Sequence, residues 1–264
     1  MPKKIRVVVG GSEGRMGRII QGLAAKTSDI EVVYGFDPRS SDLKSFADLL
    51  TREPDLRQKL DVYVDFTTPD AVLRNVDAVA QAGIDAVIGT TGWYDHLDDV
   101  AKTAVRHHRR ILYAPNYAPG VNVLFYATRE VARLLGKFGY DVAVREVHHA
   151  AKVDAPSGTA IALGNILLQE MQRETLAYER REKRADTAID VLGVRVGRVA
   201  GSHEVWFTPK ESYSERLVLQ HDAFTPEVFG IGVLTGIRWI ADAKAEGKPA
   251  GLYSFAQDVL GLET

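Results

Sequence analysis

The chain has 264 residues, 45% hydrophobic and 26% charged, with a formal net charge of −2 at pH 7. These proportions fit an ordinary globular protein long enough to bury one large core or two modest ones, and the near-neutral charge argues against a nucleic-acid partner. There are no cysteines, which excludes disulfides and thiolate metal ligands. Met1-Pro2-Lys3-Lys4 leads straight into Ile5 without the apolar segment of a signal peptide, and no apolar run approaches spanning length. The expectation is a cytoplasmic protein with no membrane partner.

Ile5 to Val9 is a short β-branched run, the pattern of a strand buried on both faces. The turn Gly10-Gly11-Ser12-Glu13-Gly14-Arg15-Met16-Gly17 follows, and then Met16, Ile19, Ile20, Leu23 and Ala24 recur at helical spacing. A second strand, Glu31 to Phe36, ends on Asp37. Strand, glycine turn, helix, strand and terminal acid together form the dinucleotide-binding arrangement. Glycines let a pyrophosphate approach backbone N–H groups at the helix start, and the acid accepts hydrogen bonds from a ribose. The spacing is Gly11-x-x-Gly14-x-x-Gly17, so the motif is moderately specific by itself. Either Arg15 or Arg39 could meet a 2′-phosphate, the alternative being that both are ordinary surface arginines, so NADPH stays open beside NADH. Glu13 is at odds with a pyrophosphate unless it points to solvent.

Alternation continues with a strand at Asp61–Phe66 and a helix opened by Thr68 as cap and Pro69 in its first turn. Ala86–Ile88 ends in Gly89-Thr90-Thr91-Gly92, a polar helix runs to about Arg109, and Arg110–Ala114 ends in Pro115-Asn116-Tyr117. This pattern implies a doubly wound parallel sheet, an α/β fold that binds ligands beyond the strand C-termini. The loops at Gly89–Gly92 and Ala114–Tyr117 would line the nicotinamide end of a cofactor. His107 and His108 lie at a solvated helix end and read as surface residues. Val121–Phe138 carries the stripe of a long helix. Beyond Asp141 strand-like runs recur at Ile189–Val196, Glu204–Phe207 and Glu215–His221, implying a smaller α+β domain with a mixed or antiparallel sheet. Gln172–Asp190 reads as an exposed helix end and loop. Pro226–Lys244 returns to helix, expected to pack on the first domain, and Leu252–Leu262 is a short apolar segment. The expected division is 1–119 with 226–264 for the dinucleotide-binding domain, and 120–225 for the second.

The titratable groups concentrate in one stretch, Arg145 to Ala162. A β-like run carries His148 and His149, Lys152 follows, and a helix opens behind Pro156 at Ser157-Gly158-Thr159. Hydride transfer to a C=N or conjugated C=C leaves a product that needs a proton. Histidine titrates in the range where a cell operates, and lysine adds a cationic donor. N–H groups at the helix start suit a carboxylate. Adjacent histidines on an extended chain point to opposite sides, which disfavours a metal.

The run Glu146-Val147-His148-His149-Ala150-Ala151-Lys152-Val153-Asp154-Ala155-Pro156-Ser157-Gly158-Thr159-Ala160 closely resembles the signature of the 4-hydroxy-tetrahydrodipicolinate reductase (dihydrodipicolinate reductase) family. Supporting matches cover nearly the whole chain: the glycine turn, Asp65-Phe66-Thr67, Gly89–Gly92, Asn116 with Gly120-Val121-Asn122, and Arg195-x-Gly197 with Gly201 and His203. The resemblance implies a Rossmann-type domain and a smaller domain that binds substrate and builds a homotetramer through its sheet. His148 would donate and accept the catalytic proton, with Lys152 as second donor. His149 would touch a small dicarboxylate substrate, whose carboxylate Gly158 and Thr159 would hold. Gly11, Ser12, Glu13, Gly14, Arg15 and Met16 would cradle the pyrophosphate, and Asp37 the ribose. Gly89, Thr90, Thr91, Ala114, Pro115, Asn116 and Tyr117 would hold the nicotinamide side. The cofactor would be NADH or NADPH, with no metal. The reaction implied is loss of water, hydride delivery and protonation, in the diaminopimelate route to lysine. The chain departs from the family where Thr225-Pro226 replaces a usual Ser-Arg, and at Glu13. Two alternatives are an NAD(P)-dependent imine or amino-acid dehydrogenase of the aspartate or diaminopimelate type, and a non-catalytic cofactor-binding protein with no use for His148 and Lys152.

Overall fold

The computed structural model describes residues 4–40, 42–178, 185–211 and 214–263. In chain order the elements are β1 (Ile5–Gly10), α1 (Arg15–Ala24), β2 (Ile30–Phe36), α2 (Phe46–Arg52), α3 (Leu56–Lys59), β3 (Val62–Asp65), α4 (Pro69–Gln81), β4 (Asp85–Ile88), α5 (Leu97–Arg106) and β5 (Arg110–Tyr113). There follow α6 (Pro119–Leu135), β6 (Tyr140–His148), α7 (Gly158–Glu170), β7 (Thr175–Ala177), β8 (Ala188–Arg195), β9 (Gly201–Pro209) and β10 (Leu217–Ala223), then α8 (Glu227–Ala245) and β11 (Gly251–Ser254). Contacts divide the chain into two units, 1–119 with 227–264, and 120–226.

The first unit is a parallel six-stranded sheet in the order β11-β5-β4-β3-β1-β2. Its strands are apolar on both faces because both faces are covered. Val8 and Tyr63 point into a core with Phe46, Leu49, Val72 and Val76. Val7, Val9, Val62 and Val64 point the other way, into a core with Ile20, Val233 and Ile237. β1 pairs with β2 on one side and β3 on the other, so the chain reverses its direction of winding there. The crevice beyond the C-terminal ends of β1 and β3 is where such sheets take ligands.

The second unit is a mixed five-stranded sheet, β10-β9-β6-β8-β7. β9 is antiparallel to β6 and β10, whereas β8 runs parallel to β6 and β7. Leu124 and Ala132 of α6 and Leu163 and Leu167 of α7 pack on Val142, Val144, Ile189, Val191, Val205 and Phe207. The alternate residues of β8, Leu192 and Val194, are 44% and 40% exposed, as expected of side chains on the sheet's other face.

Several elements differ from the sequence reading. α2 and α3 occupy a stretch to which the pattern assigns nothing. The 172–190 segment, expected as helix end and loop, contributes β7 and the first residues of β8, while 179–184 lie outside the described residues. The final apolar segment supplies β11 as an edge strand, followed by a helical turn at Phe255–Val259. α5 stops at Arg106, and His108 just beyond takes a left-handed φ of 56° that no helix continues through. Thr68 holds the N-cap position of α4 without a side-chain capping bond. Its hydroxyl pairs with Asp70 instead.

α8 packs against α1 and the sheet through its glycines. A Cβ on Gly232 would fall 1.7 Å from the Tyr117 carbonyl oxygen, a backbone atom that cannot rotate away. Gly232→Ala is therefore expected to lower the unfolding free energy by about 1–3 kcal/mol, the usual range for overpacking. Gly22→Ala, on exposed α1 surface with no heavy atom within 4 Å of the new methyl, is expected to raise it by about 0.5–1 kcal/mol. Denaturant unfolding of the two variants checks both signs.

Candidate active site

In the first unit the glycine turn joins β1 to α1. Gly11 has φ +76°, and a Cβ there would lie 2.1 Å from the Phe66 carbonyl oxygen. Gly14 takes the N-cap position of α1 with no side-chain cap. Arg15 and Met16, as the first helical residues, have N–H groups without intrahelical acceptors. Backbone donors at an uncapped helix start, in a turn cleared of side chains, fit the pyrophosphate of a dinucleotide. A cleft of about 320 Å³ opens beside them, lined by Arg15, Met16, Gly89, Thr91 and the run Ala114-Pro115-Asn116-Tyr117. Phe66 and Phe229 complete it.

The other expected cofactor residues lie outside this cleft's lining. Ser12 is buried, its carbonyl receiving Gln21 Nε2 at 2.8 Å, and Glu13 is exposed. Asp37 is 2% exposed. Its carboxylate takes Arg39 Nε at 3.1 Å and Nη2 at 3.1 Å, together with the Arg39 N–H at 3.0 Å. The Arg39 side chain, and after it the Arg39 and Glu13 backbone N–H groups, hold Asp37 below the usual carboxylate range in spite of its burial. The acid at the end of β2 is thus tied both to an arginine and to the glycine turn.

Thr90 is also spoken for. Its hydroxyl donates to Asp65 Oδ1 at 2.8 Å, and its carbonyl accepts Trp93 Nε1 at 2.8 Å. Asp65, 0% exposed, further accepts Tyr63 Oη at 2.9 Å, Asn75 Nδ2 at 3.0 Å, Thr67 N at 2.9 Å and Thr67 Oγ1 at 2.7 Å. One buried carboxylate thereby fixes the loops after β3 and β4, so that Gly89 and Thr91 are held at the cleft.

In the second unit the end of β6 brings Glu146 and His148 to the helix-covered face. Both are buried, at 0% and 8% exposure. Glu146 lies opposite Gly193 and His203, and His148 opposite Arg195. Arg195 grips Glu146 with Nη1 at 3.0 Å and Nη2 at 2.8 Å, while His148 Nδ1 bonds Glu146 Oε2. Burial would raise the Glu146 pKa, but Arg195 and His148 more than offset it and hold the group low. Burial depresses the His148 pKa below its ordinary value; Glu146 works against that, and the cationic Lys152 and Arg195 add to it.

After β6 the chain turns through a cis Ala155–Pro156 peptide into α7. Ser157 caps the helix, its Oγ accepting Ala160 N at 3.2 Å, and contacts His203 Nε2 at 3.0 Å. His203 is pushed down to about 4, chiefly by burial and then by His148, so it is neutral at pH 7. Gly158 is exposed and Thr159 half-buried at the helix start; His149 is half-buried on the turn, its carbonyl accepting Lys152 N at 3.0 Å. Lys152 Nζ pairs with both oxygens of Asp154, at 2.7 and 2.8 Å. His148 therefore ends β6, His149 and Lys152 lie in the turn after it, and Gly158 and Thr159 open α7. Among the described residues no group of three or more His, Asp or Glu is set to hold a metal, and no helix is long and apolar enough to cross a membrane.

The sequence reading assigned no role to Glu146, Arg195, His203, Asp65, Phe66 or Phe229. For Glu146 a signal was present, since residues two apart on a strand share a face and Glu146 stands two before His148. Arg195 and His203 meet the pair only through strand register, which one sequence does not disclose.

Family profiles match in two parts, the N-terminal part of dihydrodipicolinate reductase over residues 5–117 and its C-terminal part over 120–260. A 4-hydroxy-tetrahydrodipicolinate reductase of Methanopyrus kandleri is 36% identical, with 97% of this chain and 96% of that protein aligned. One from an Anaeromyxobacter species is 38% identical over 98% and 99% of the two chains. Among solved structures, dipicolinate-bound dihydrodipicolinate reductase from Paenisporosarcina sp. TG-14 superposes with TM-score 0.74 at 23% identity, covering 95% of this chain and 97% of that one. A DAP dehydrogenase of C. glutamicum in complex with DAP has TM-score 0.56 and 13% identity over 98% and 95%. The structural likenesses establish the fold, a Rossmann-like sheet with a mixed five-stranded partner, and the sequence matches run the full length of both units. The chain belongs to the dihydrodipicolinate reductase family.

Proposed function

We propose that this chain binds a nicotinamide dinucleotide at the glycine turn of its first unit and moves protons with His148 and Lys152 of its second. The reaction is the NAD(P)H-dependent reduction of 4-hydroxy-tetrahydrodipicolinate to tetrahydrodipicolinate, in which the 4-hydroxyl leaves as water and one hydride and one proton are added, an oxidoreductase step of the diaminopimelate route to lysine. Full-length identity of 33–38% to curated reductases carries this reading. The bound cofactor supplies the hydride.

The chain's own residues do the rest. Backbone N–H groups of Gly11 to Met16 hold the pyrophosphate, and Glu13, being exposed, leaves it unopposed. Asp37 and Arg39 together meet the adenosine ribose: the acid suits a 2′-hydroxyl and the arginine a 2′-phosphate, so both NADH and NADPH are accepted. Gly89, Thr91 and Ala114–Tyr117 line the nicotinamide side, with Thr90 holding that loop from beneath. Gly158 and Thr159 receive one carboxylate of a small dicarboxylate substrate at the N-terminus of α7, where helix dipole and orphan donors favour an anion. His149 contacts the substrate. Protonated His148 delivers a proton to the carbon skeleton and then accepts one back, and Lys152, released from Asp154, serves as second donor. Residues 1–119 with 226–264 thus act as the dinucleotide-binding domain, and residues 120–225 as the substrate-binding and oligomerisation domain. The partly exposed Leu192 and Val194 on the second sheet support a homotetramer, and the protein works in the cytoplasm.

The likeness to DAP dehydrogenase favours one competing reading, oxidation of an amino acid. Incubation with NAD(P)+ and diaminopimelate or aspartate separates it, and the expected outcome is no turnover.

His148→Gln and Lys152→Ala should each lower the rate about 10²–10⁴-fold, the usual worth of general acid–base help; near-full activity in both would remove them from the mechanism. A coupled assay, with a synthase generating the substrate, should oxidise NADH and NADPH alike, and failure with both would sink the assigned reaction. Light scattering should return a mass about four times the 29.0 kDa of one chain.

A further inference from the structure

A histidine shuttles a proton efficiently only when one ring nitrogen is held and the other is open, and the hydrogen bond on the first decides which. In the second unit that bond comes from Glu146. The buried carboxylate receives Arg195 Nη1 on Oε2 at 3.0 Å and Nη2 on Oε1 at 2.8 Å. It also receives the Ser157 N–H on Oε1 at 3.1 Å, and His148 Nδ1 meets Oε2. Arginine stays charged in proteins, and an ionised carboxylate can only accept. With Arg195 forked onto it, Glu146 is an anion, and His148 Nδ1 must be the nitrogen that carries a proton. Nε2 is then the working atom. It lies beside Gly201, where a Cβ would come within 3.0 Å of it, so the glycine keeps that nitrogen clear.

We propose that Glu146 is a positioning residue for this reaction, resting on the roles given above to His148, Gly158 and Thr159. Through Nδ1–H it fixes His148 in the tautomer whose Nε2 exchanges protons with substrate. Through Ser157 N–H it ties the same ring to the start of α7, where the substrate carboxylate is received. Arg195 acts behind it as the clamp that keeps the carboxylate ionised and aligned. One side chain thereby sets the distance between proton carrier and carboxylate site. Three further groups face His148: Arg195 from β8, His203 from β9 with ring centroids 5.1 Å apart, and, from the turn, Lys152, whose Nζ is itself paired with Asp154. Of the charges that act on the imidazole, Glu146 favours the protonated ring, while Lys152 and Arg195 oppose it.

The test is Glu146→Gln. A glutamine still accepts from Arg195 but can offer an N–H to Nδ1, which reverses the tautomer. The expected result is a fall in kcat of about 10²–10⁴-fold, as for other carboxylates that orient a catalytic imidazole, with a much smaller change in KM. The pH limb governed by His148 should move to lower pH, since the anion that favours the imidazolium is gone. Glu146→Asp, which keeps the charge, should recover part of kcat. Independently of turnover, ¹⁵N NMR of histidine-labelled protein, at a pH where the ring is neutral, should report Nδ1–H for His148 in the native chain and Nε2–H in Glu146→Gln. His148→Gln supplies the assignment. A native Nε2–H tautomer, or a Glu146→Gln enzyme with unchanged kcat and pH limb, would overturn the proposal. Should the glutamine variant not fold, the native tautomer and the aspartate variant decide it. Native enzyme that leaves the substrate untouched while His148 holds its Nδ1–H tautomer would defeat the assigned reaction and not the positioning.

Discussion

Glu146 and Arg195 form an ion pair sunk into the second unit, and the geometry of the turn after β6 depends on it. Burying a carboxylate costs several kcal/mol unless its lone pairs are fully used, and here a guanidinium fork, a backbone N–H and an imidazole use them. The arrangement is possible only in one register of β6 against β8 and β9, because a slip by one residue would turn Glu146 to the other face. The apolar core beneath, with Val144, Val191 and Val205 on the same face, therefore does more than stabilise. By fixing register it brings four polar side chains from three strands to one point.

The first unit solves a similar problem with the same device. Asp65 takes hydrogen bonds from Tyr63, Thr67, Asn75 and Thr90, and the loops after β3 and β4 are thereby held at the crevice. In both units a buried acid at a strand end organises the backbone of the loop beside it. A buried carboxylate whose lone pairs are used in this way rigidifies its surroundings, although in the second unit Arg195 Nε and His203 Nδ1 find no partner of their own among the described residues. Each loop thus inherits its shape from the acid beneath it.

Much of this could be read from the chain alone, for identifiable reasons. Strand, glycine turn and helix from Ile5 to Ala24 carry local signals: a β-branched run, glycines where a Cβ would strike backbone, and apolar spacing of three and four. The turn from His148 to Thr159 is contiguous, so its residues could be grouped without knowing the fold. The elements that escaped notice are short or depend on distant partners. β7 has only three residues, and β11 is a strand only because β5 offers it an edge. Glu146 beside His148 resembles an ordinary strand polar residue until Arg195, some fifty positions later, is seen to face it. For Thr90 and Asp37 the sequence pattern does not disclose the partners, the Asp65 carboxylate under Thr90 and the Arg39 guanidinium on Asp37.

The interruption of the first sheet has a consequence for how the molecule is made. α8, which buries Ile20, Val7 and Val64 beneath Val233 and Ile237, and β11, which closes the β5 edge, lie after the whole second unit in the chain. During synthesis, residues 1–119 emerge with one sheet face covered only by α1 and one edge unpaired, while residues 120–226 form a continuous segment able to complete its own core first. The nascent first unit must wait, part of its apolar surface bare, for α8 and β11 to arrive. The apolar strands β4 and β5, on which α8 packs most and whose outer edge β11 closes, are where that exposure is greatest.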